Sequence, residues 1–212
     1  MSPPEMFRTP LLVSLVSLIF LSAAYPDESS TPDFWIKSPD QWASLKAGEV
    51  VIIESPDKSD SKDSDHAAMA AILIDSPVIP VWDIVNDQDK APHYLKTLLS
   101  SELLEEHEGY SLIEQQVKVG FHKVKYVVKH MPTPPSVINF SRESGDLKEM
   151  AGFWRFIEVG EESEAKTLLI YRLSLKPDFP VPQFLIRKSL SENLPDTLIS
   201  VRNEVLRARK DS

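Results

Sequence analysis

The residues that could bind a metal or act in catalysis are scattered along the chain. None of the five histidines has an HxxxH or HxH spacing, which would place two imidazoles on one face of a helix or strand. They are His66, His93, His107, His122 and His130. A metal site would need ligands gathered from distant segments, so we expect no metal and interpret the histidines as surface or strand-edge residues.

Acidic and nucleophilic residues show no catalytic pattern either. Asp83 and Asp87 are spaced as on one helix face, with Asp89 close behind. Acidic residues at the ends of short helices usually cap backbone N–H groups or are solvated. The segment "VGEESEAK" predicts a solvated turn that contains Glu161, Glu162 and Glu164. No GxSxG stretch is present.

Composition narrows the class of protein. A chain of 212 residues with 42% hydrophobic content is long enough for one well-buried domain. The formal net charge is −9, and no basic stripe compensates it, so we expect neither nucleic acid nor an anionic membrane surface as a partner. The absence of cysteine excludes disulfides, thiolate chemistry and lipid attachment through cysteine.

The N-terminal segment has the pattern of an export signal. Fourteen apolar or small residues run from Leu11 to Ala24 and close on Ser-Ala-Ala, as in a secretory h-region and its cleavage site. The run is short for a membrane span. We predict a signal peptide over residues 1–24 and a secreted or periplasmic protein. Glu5 offsets the charge of Arg8, so an uncleaved membrane anchor is the alternative.

The next segment, residues 25–47, is predicted to be an extension with one short helix. Tyr25 to Lys37 is polar and contains proline, which indicates a loose lead-in. In "SPDQWASLKAG", Ser38 is placed to cap a helix and Gly48 to close it. A short strand, "EVVIIE", follows, and Ser55 to Asp65 has no apolar residue, which predicts a solvated loop.

The stretch "ILIDSPVIPVWDIVNDQDKAPHYL" predicts a strand that leads directly into two short helices. Ser76 is placed to cap the first helix and Pro77 to occupy its first position. That helix carries Trp82, and the second begins near Asp89.

From Leu98 onward the apolar residues alternate with polar ones. In "SLIEQQVKVG" one face carries Ile113, Gln115, Val117 and Val119. The runs "FHKVKYVVKHM", "SVINFSRE", "AGFWRFIEVG" and "TLLIYRLSLKP" continue the pattern, with glycines at most of the joints. Consecutive short runs with one polar face predict an antiparallel meander.

The C-terminal segment predicts one long amphipathic helix from Gln183 to Arg209. Its apolar residues recur every three or four positions, at Ile186, Leu190, Leu194, Leu198, Val201 and Val205. Pro195 lies inside this pattern, so we expect a kink or a break there.

This order of elements predicts an α+β helix-grip fold, a curved antiparallel sheet wrapped around a long C-terminal helix. The stretches "AAILIDSPVIPVWDIVNDQDKAPHYL" and "GDLKEMAGFWRFIEVGEESEAKTLLIYRLSLKP", followed by a Pro-rich turn and the terminal helix, resemble the START-like (SRPBCC) superfamily. The resemblance is to its polyketide cyclase/dehydrase and coenzyme-Q-binding START branch. It covers a predicted domain over residues 48–209.

The resemblance implies a cavity for a hydrophobic ligand between the sheet and the helix, with the two short helices closing one end. It implies no cofactor. The candidate ligand-binding residues are Ile113, Val117, Tyr126, Val128, Phe140, Trp154, Phe156, Leu169, Tyr171, Leu173, Leu190 and Leu194. Tyr126 and Tyr171 could supply hydroxyl groups in an otherwise apolar pocket. Taken singly, each of these residues is equally consistent with an ordinary core position.

Three functions stay open on the sequence. The first is a protein that binds a lipid, a quinone or a polyketide-like molecule, and the second is a cyclase or dehydratase acting in the same cavity. The third is an interaction module whose core is filled by its own side chains. We rank them in this order and assign no catalytic residue, because a fold hosts many functions.

Overall fold

The computed structural model describes residues 28–53, 67–119, 122–161, 164–178 and 183–211. Three predicted features lie outside these ranges: the signal peptide over residues 1–24, the loop from Ser55 to Asp65, and most of the turn "PDFPVPQ".

One antiparallel sheet forms the body of the protein. Its spatial order is β1-β2-β8-β7-β6-β5-β4-β3. Strands β3 to β7 each pair with the next strand along the chain, which confirms the predicted meander, and β2 joins the sheet through β8. The strands are β1 (Val51–Ile52), β2 (Ala67–Ile74), β3 (Leu98–His107), β4 (Tyr110–Val119), β5 (His122–Thr133), β6 (Val137–Gly145), β7 (Leu147–Val159) and β8 (Lys166–Pro177).

Five helices accompany the sheet in the described parts of the chain. They are α1 (Pro32–Trp35), α2 (Pro39–Lys46), α3 (Val78–Asn86), α4 (Ala91–Tyr94) and α5 (Gln183–Lys210). The long helix α5 packs against β2 and β8 of the sheet and against α3 and α4. The protein thus has the predicted helix-grip α+β fold, in which the sheet curves around α5 and the two short helices lie at its side.

The predicted apolar stripe of α5 faces the sheet. Its described members are all buried: Leu190, Leu194, Leu198, Val201 and Val205. Pro195 does not break the helix, which continues to Lys210. A proline removes one backbone hydrogen bond, and the buried side chains on either side of Pro195 hold the helix together across that gap.

The first turns of α2 and α3 differ in how they are capped. Ser38 caps α2 as predicted, and it forms a reciprocal capping box with Gln41, with both hydrogen bonds at 3.2 Å. The predicted cap of α3 is wrong by one residue, because Pro77 is the N-cap. The Ser76 hydroxyl donates to the Pro77 carbonyl at 3.4 Å instead of accepting a bond from a backbone N–H of the helix. Ser76 is buried, and its carbonyl accepts a hydrogen bond from the Thr167 hydroxyl at 2.8 Å.

The lead-in before α2 is packed rather than loose, at least from Glu28 onward. Trp35 is 8% exposed and Ile36 is 3% exposed. Both belong to a cluster with Leu168 and Ile170 on the outer face of the sheet. The segment is polar on average, which led to the prediction of a loose lead-in. Two or three large apolar side chains nevertheless suffice to hold a short segment on a sheet.

Among the described residues, no helix is both long enough and apolar enough to cross a membrane.

Candidate functional site

The concave face of the sheet, the one that α5 covers, carries all the predicted ligand-binding residues that lie on strands. Cross-strand partners share a face, and the register pairs Ile113 with Val128, Trp154 with Tyr171, and Phe156 with Leu169. The other predicted strand residues, Val117, Tyr126, Phe140 and Leu173, lie on the same face of β4, β5, β6 and β8. Leu190 and Leu194 reach the same face from α5. The structure therefore brings together side chains that are up to 81 residues apart (113 to 194) in the sequence.

The apolar side chains of this face form two clusters. The helix-side cluster joins α3, α5 and strands β2, β7 and β8, and it includes the predicted residues Trp154, Phe156, Leu169, Tyr171, Leu190 and Leu194. The strand-side cluster lies on β4 to β8 and includes Ile113, Val117, Tyr126 and Val128. Phe140, Leu173 and Leu175 pack against both clusters. Phe140 and Leu173, together with Tyr171 beside them on β8, form the centre of the concave face.

The centre of the concave face is less buried than its surroundings. Phe140, Tyr171 and Leu173 are all half-buried, although each packs against a core cluster. By contrast, Leu169 on the same face of β8 and Ile72 on β2 have no exposed surface. Large apolar side chains in the middle of a curved sheet stay accessible where no described part of the chain covers them.

Aromatic rings line the boundary of this region. The rings of Trp154 and Tyr171 stack in parallel with their centroids 3.8 Å apart. Trp82 of α3 lies against Phe156, with 5.1 Å between ring centroids. The helix α3 therefore contacts the sheet through an aromatic pair, as expected for an element that closes one end of the concave face.

A chain of hydrogen bonds connects the strand-side cluster to the α3–α4 connection. The Tyr126 hydroxyl donates to Oε1 of Gln115 at 3.2 Å. Gln115 donates through Nε2 to Oε1 of Gln88 at 3.0 Å, and Gln88 donates to the carbonyl of Val85 at 2.8 Å. Neutral polar groups thus lie on one side of an apolar surface, which is the usual composition of a small-molecule pocket.

The two tyrosine hydroxyls of the concave face remain protonated. Burial raises the pKa of Tyr126 above its usual value, and burial together with the nearby Tyr126 does the same for Tyr171. Within the described parts of the chain, the Tyr171 hydroxyl makes no hydrogen bond. The Tyr171 hydroxyl can therefore donate to a ligand, whereas Tyr126 already donates to Gln115. A role as general base is disfavoured for both hydroxyls.

The interpretation of the histidines is wrong for His130. Its side chain is 6% exposed, its Nε2 has no hydrogen-bond partner among the described residues, and burial lowers its pKa to about 4. It pairs across strands with Phe140 and Ser111. It lies on the same buried face of β5 as Tyr126 and Val128. His93, His107 and His122 are exposed, and His66 lies outside the described residues.

The acidic residues behave as the sequence indicates. Asp87 accepts hydrogen bonds from the backbone N–H of Lys90 at 3.2 Å and from its Nζ at 2.6 Å, and this contact lowers the pKa of the Asp87 carboxyl. Glu161 and Glu164 are exposed, and Glu162 lies outside the described residues. No group of three or more histidine, aspartate or glutamate side chains in the described ranges is arranged to hold a metal ion.

Sequence reasoning placed Gln115 on this face but did not name it as a site residue, and it also did not name three further polar residues, Ser101, His130 and Gln88. A signal was present for two of them, because Gln115 and His130 occupy apolar-face positions in otherwise alternating strands. No local pattern marks Gln88, which reaches the sheet from a connection 27 residues away.

Two surface hollows lie outside the concave face. One, of about 580 Å³, is lined by residues between Asp33 and Lys46 of α1 and α2. The other, of about 370 Å³, lies between α2, the end of β2 and the last turns of α5, and its wall includes Lys46, Lys166 and Arg202. Neither is lined by a predicted ligand-binding residue.

Known proteins share this architecture. The START superfamily protein from Mycobacterium smegmatis superimposes with a TM-score of 0.60, at 16% identity, over 68% of this chain and 99% of that one. The Zhui aromatase/cyclase from Streptomyces sp. R1128 gives a TM-score of 0.58, at 17% identity, over 66% and 93% of the two chains. At such identities the similarity shows the fold alone.

Sequence similarity assigns the family. The ribosome association toxin RatA of Pseudomonas aeruginosa is 30% identical over 105 residues, which are 50% of this chain and 72% of that protein. The family described as polyketide cyclase / dehydrase and lipid transport matches residues 74–202. This match begins at the end of β2 and runs into α5, so it covers the concave face. The chain therefore belongs to the polyketide cyclase / dehydrase and lipid transport family, and the resemblance to START-like proteins is confirmed.

Proposed function

We propose that the protein binds a hydrophobic small molecule, such as a lipid, a quinone or a polyketide-like compound, on the concave face of its sheet. The observation that carries the proposal is the half-buried apolar centre formed by Phe140, Tyr171 and Leu173. Covering such a surface with an apolar ligand contributes roughly 25 cal/mol for each Å² removed from water. The family description, which includes lipid transport, supports the same class of ligand.

A filled core fits this surface less well. In a module whose interior is packed by its own side chains, the central residues should be as buried as Leu169 and Ile72, which have no exposed surface. Phe140 and Leu173 instead keep part of their surface free while they pack against both clusters. The open centre favours ligand binding over the interaction module.

A cyclase or dehydratase activity ranks second. Such chemistry needs a proton donor and a proton acceptor placed at the substrate. The Tyr171 hydroxyl, which has no hydrogen-bond partner in the described ranges, could act as the donor. The raised pKa of Tyr126 and of Tyr171 opposes a role for either as the acceptor, and the lowered pKa of His130 leaves a weak base. Ligand binding needs none of these proton transfers.

The proposed location is outside the cytoplasm, in the periplasm or the medium. This part of the proposal is supported by the apolar run from Leu11 to Ala24 with its small-residue close. An apolar ligand would then be held in an aqueous compartment, where its free concentration is low.

Native mass spectrometry tests the binding proposal directly. The protein is purified without detergent and sprayed from a volatile buffer, and we expect a complex heavier than the chain by the mass of one small molecule. Extraction with organic solvent should release that molecule for identification. A ligand-free spectrum, together with no binding from a panel of fatty acids, quinones and sterols, would contradict the proposal.

A further inference from the structure

Three strands place polar side chains in a line across the concave face. The register pairs Ser101 of β3 with Gln115 of β4, Gln115 with Tyr126 of β5, and Tyr126 with Gly145 of β6. Directly paired residues lie on the same face with their side chains adjacent. Ser101, Gln115 and Tyr126 therefore form a polar row, and the row ends at a glycine that contributes no side chain.

The guanidinium of Arg142 occupies the end of this polar row. Arg142 pairs with Val128, which is buried on the concave face, and it follows Phe140 by two residues, so it has the same orientation. Its Nη2 donates to the carbonyl of Gly145 at 3.1 Å. The cation thus lies beside the glycine that faces Tyr126.

The Arg142 guanidinium has no ion-pair partner in the described parts of the chain. Its Nε is buried and has no hydrogen-bond partner, and no described carboxylate forms an ion pair with it. Two lysines of the sheet differ in this respect, since Lys125 pairs with Glu114 at 2.7 Å and Lys176 with Glu149 at 3.3 Å. A buried guanidinium N–H without an acceptor is costly unless something else supplies one.

A second group of the row is also without a partner. The hydroxyl oxygen of Ser101 is buried and makes no hydrogen bond in the described structure. The middle of the row, by contrast, is occupied by the bonds from Tyr126 to Gln115 and from Gln115 to Gln88. The row therefore has a hydrogen-bond donor without a described acceptor at each end, the Ser101 hydroxyl and the Arg142 Nε–H. The charged donor, Arg142, lies next to Phe140 in the apolar centre.

We propose that the polar row ending in Arg142 binds the carboxylate of an amphiphilic ligand whose apolar body lies on Phe140 and Leu173. This inference rests on the proposed function and specifies its ligand class as an acid. Arginine presents N–H groups in a planar fork that matches a carboxylate, and charge-assisted bonds of this kind are about twice as strong as neutral ones. A neutral carbonyl or alcohol would leave the guanidinium without an opposite charge.

Isothermal titration of the full chain at pH 7.5 with dodecanoic acid and with dodecan-1-ol tests the inference. The two probes share a twelve-carbon chain and differ only in the polar end. We expect the acid to bind at least tenfold more tightly than the alcohol. In Arg142→Gln the acid should lose this advantage, whereas the alcohol should bind as it does to the unchanged protein. Lys123→Gln is the matched control, because Lys123 is an exposed cation on the opposite face of β5.

The outcomes separate the two proposals. If the acid and the alcohol bind equally well to the unchanged protein, or if Arg142→Gln keeps the preference for the acid, the carboxylate site is wrong and the hydrophobic-ligand proposal stands. If neither probe nor any other apolar compound binds, both are wrong. Circular dichroism checks that Arg142→Gln is folded, and Ser101→Ala, which should weaken acid binding about threefold, provides the test should the arginine variant not fold.

Discussion

The indole of Trp154 and the phenol ring of Tyr171 stack across the β7–β8 pair, with 3.8 Å between centroids and 8° between ring planes. This contact lies where the helix-side cluster meets the open centre of the concave face. One ring is buried and the other is half-buried. The stack therefore contributes to the core and also forms part of the proposed binding surface.

Replacing Trp154 by alanine should destabilise the protein by about 3–5 kcal/mol, the range for large aromatic side chains removed from cores. The side chain is 9% exposed and its removal leaves Tyr171 without its stacking partner. Urea unfolding followed by circular dichroism measures the change in the free energy of unfolding. Lys148→Ala, an exposed site on the same strand, is the control and should stay within about 0.5 kcal/mol. A loss below about 1 kcal/mol for Trp154→Ala would place this residue at the surface instead.

Gly152 should not tolerate even an alanine. A β-carbon at this position would overlap the carbonyl oxygen of Arg172 and the ring of Phe140. The carbonyl belongs to the paired strand and cannot move away without disturbing the sheet, so we expect Gly152→Ala to cost about 1–3 kcal/mol or more. The neighbouring Ala151 is exposed, and Ala151→Ser should be nearly neutral in the same unfolding assay. Equal stability of the two variants would contradict the close approach of Phe140 to β7.

His130 should make the protein less stable in mild acid. Its pKa is about 4 in the folded protein and near 6.5 when unfolded, so the unfolded state binds more protons between these values. Its neutral form therefore supports the fold fully above pH 6.5, and this contribution is lost as the pH falls toward 4. A shift of this size corresponds to about 3 kcal/mol.

The comparison with His130→Phe isolates this effect, because phenylalanine keeps an apolar ring opposite Phe140 and cannot titrate. Unfolding free energies measured from pH 7 to pH 4 should fall more steeply for the unchanged protein than for the variant. Parallel curves would show that His130 is accessible to protons in the folded state.

Bulk added to the inner face of α5 should obstruct the ligand. Leu190 is 3% exposed and belongs to the helix-side cluster, and in Leu190→Trp the larger ring would extend toward the concave face. We expect binding of a fluorescent fatty acid or quinone analogue to weaken about tenfold, or 1.4 kcal/mol, with the fold intact. Lys125→Ala changes the outer face and should leave the affinity unaltered. Unchanged binding by Leu190→Trp would remove α5 from the wall of the site.

Export can be tested on the intact protein in its native cell. We expect N-terminal sequencing of material from an extracytoplasmic fraction to begin near Tyr25, after the small residues that close the apolar run. Protein that keeps Met1 and is recovered in the soluble cytoplasm would exclude the export signal. Protein that keeps Met1 in the membrane fraction would support the uncleaved anchor.

Features that depend on near neighbours in the chain could be predicted from the sequence. The alternation through Val124, Tyr126 and Val128 placed these residues on the buried face of β5. The helix predicted from Gln183 to Arg209 agrees with α5 within one residue at each end. Ser38, Pro39 and Gly48 marked the bounds of α2. In each case the deciding interactions are formed within one or two turns or along one strand, so the local sequence contains all of them.

Features that depend on which strands and connections meet were decided only by the tertiary structure. The pairing of Gln88 with Gln115, the polar row that ends at Arg142 and the burial of His130 all follow from cross-strand register and from the path of the α3–α4 connection. The packing of Trp35 on the outer face likewise needs the apolar surface that β8 presents there. Sequence spacing carries no information about such distances, because the contacts form between segments whose separation is set by the cooperative folding of the whole sheet.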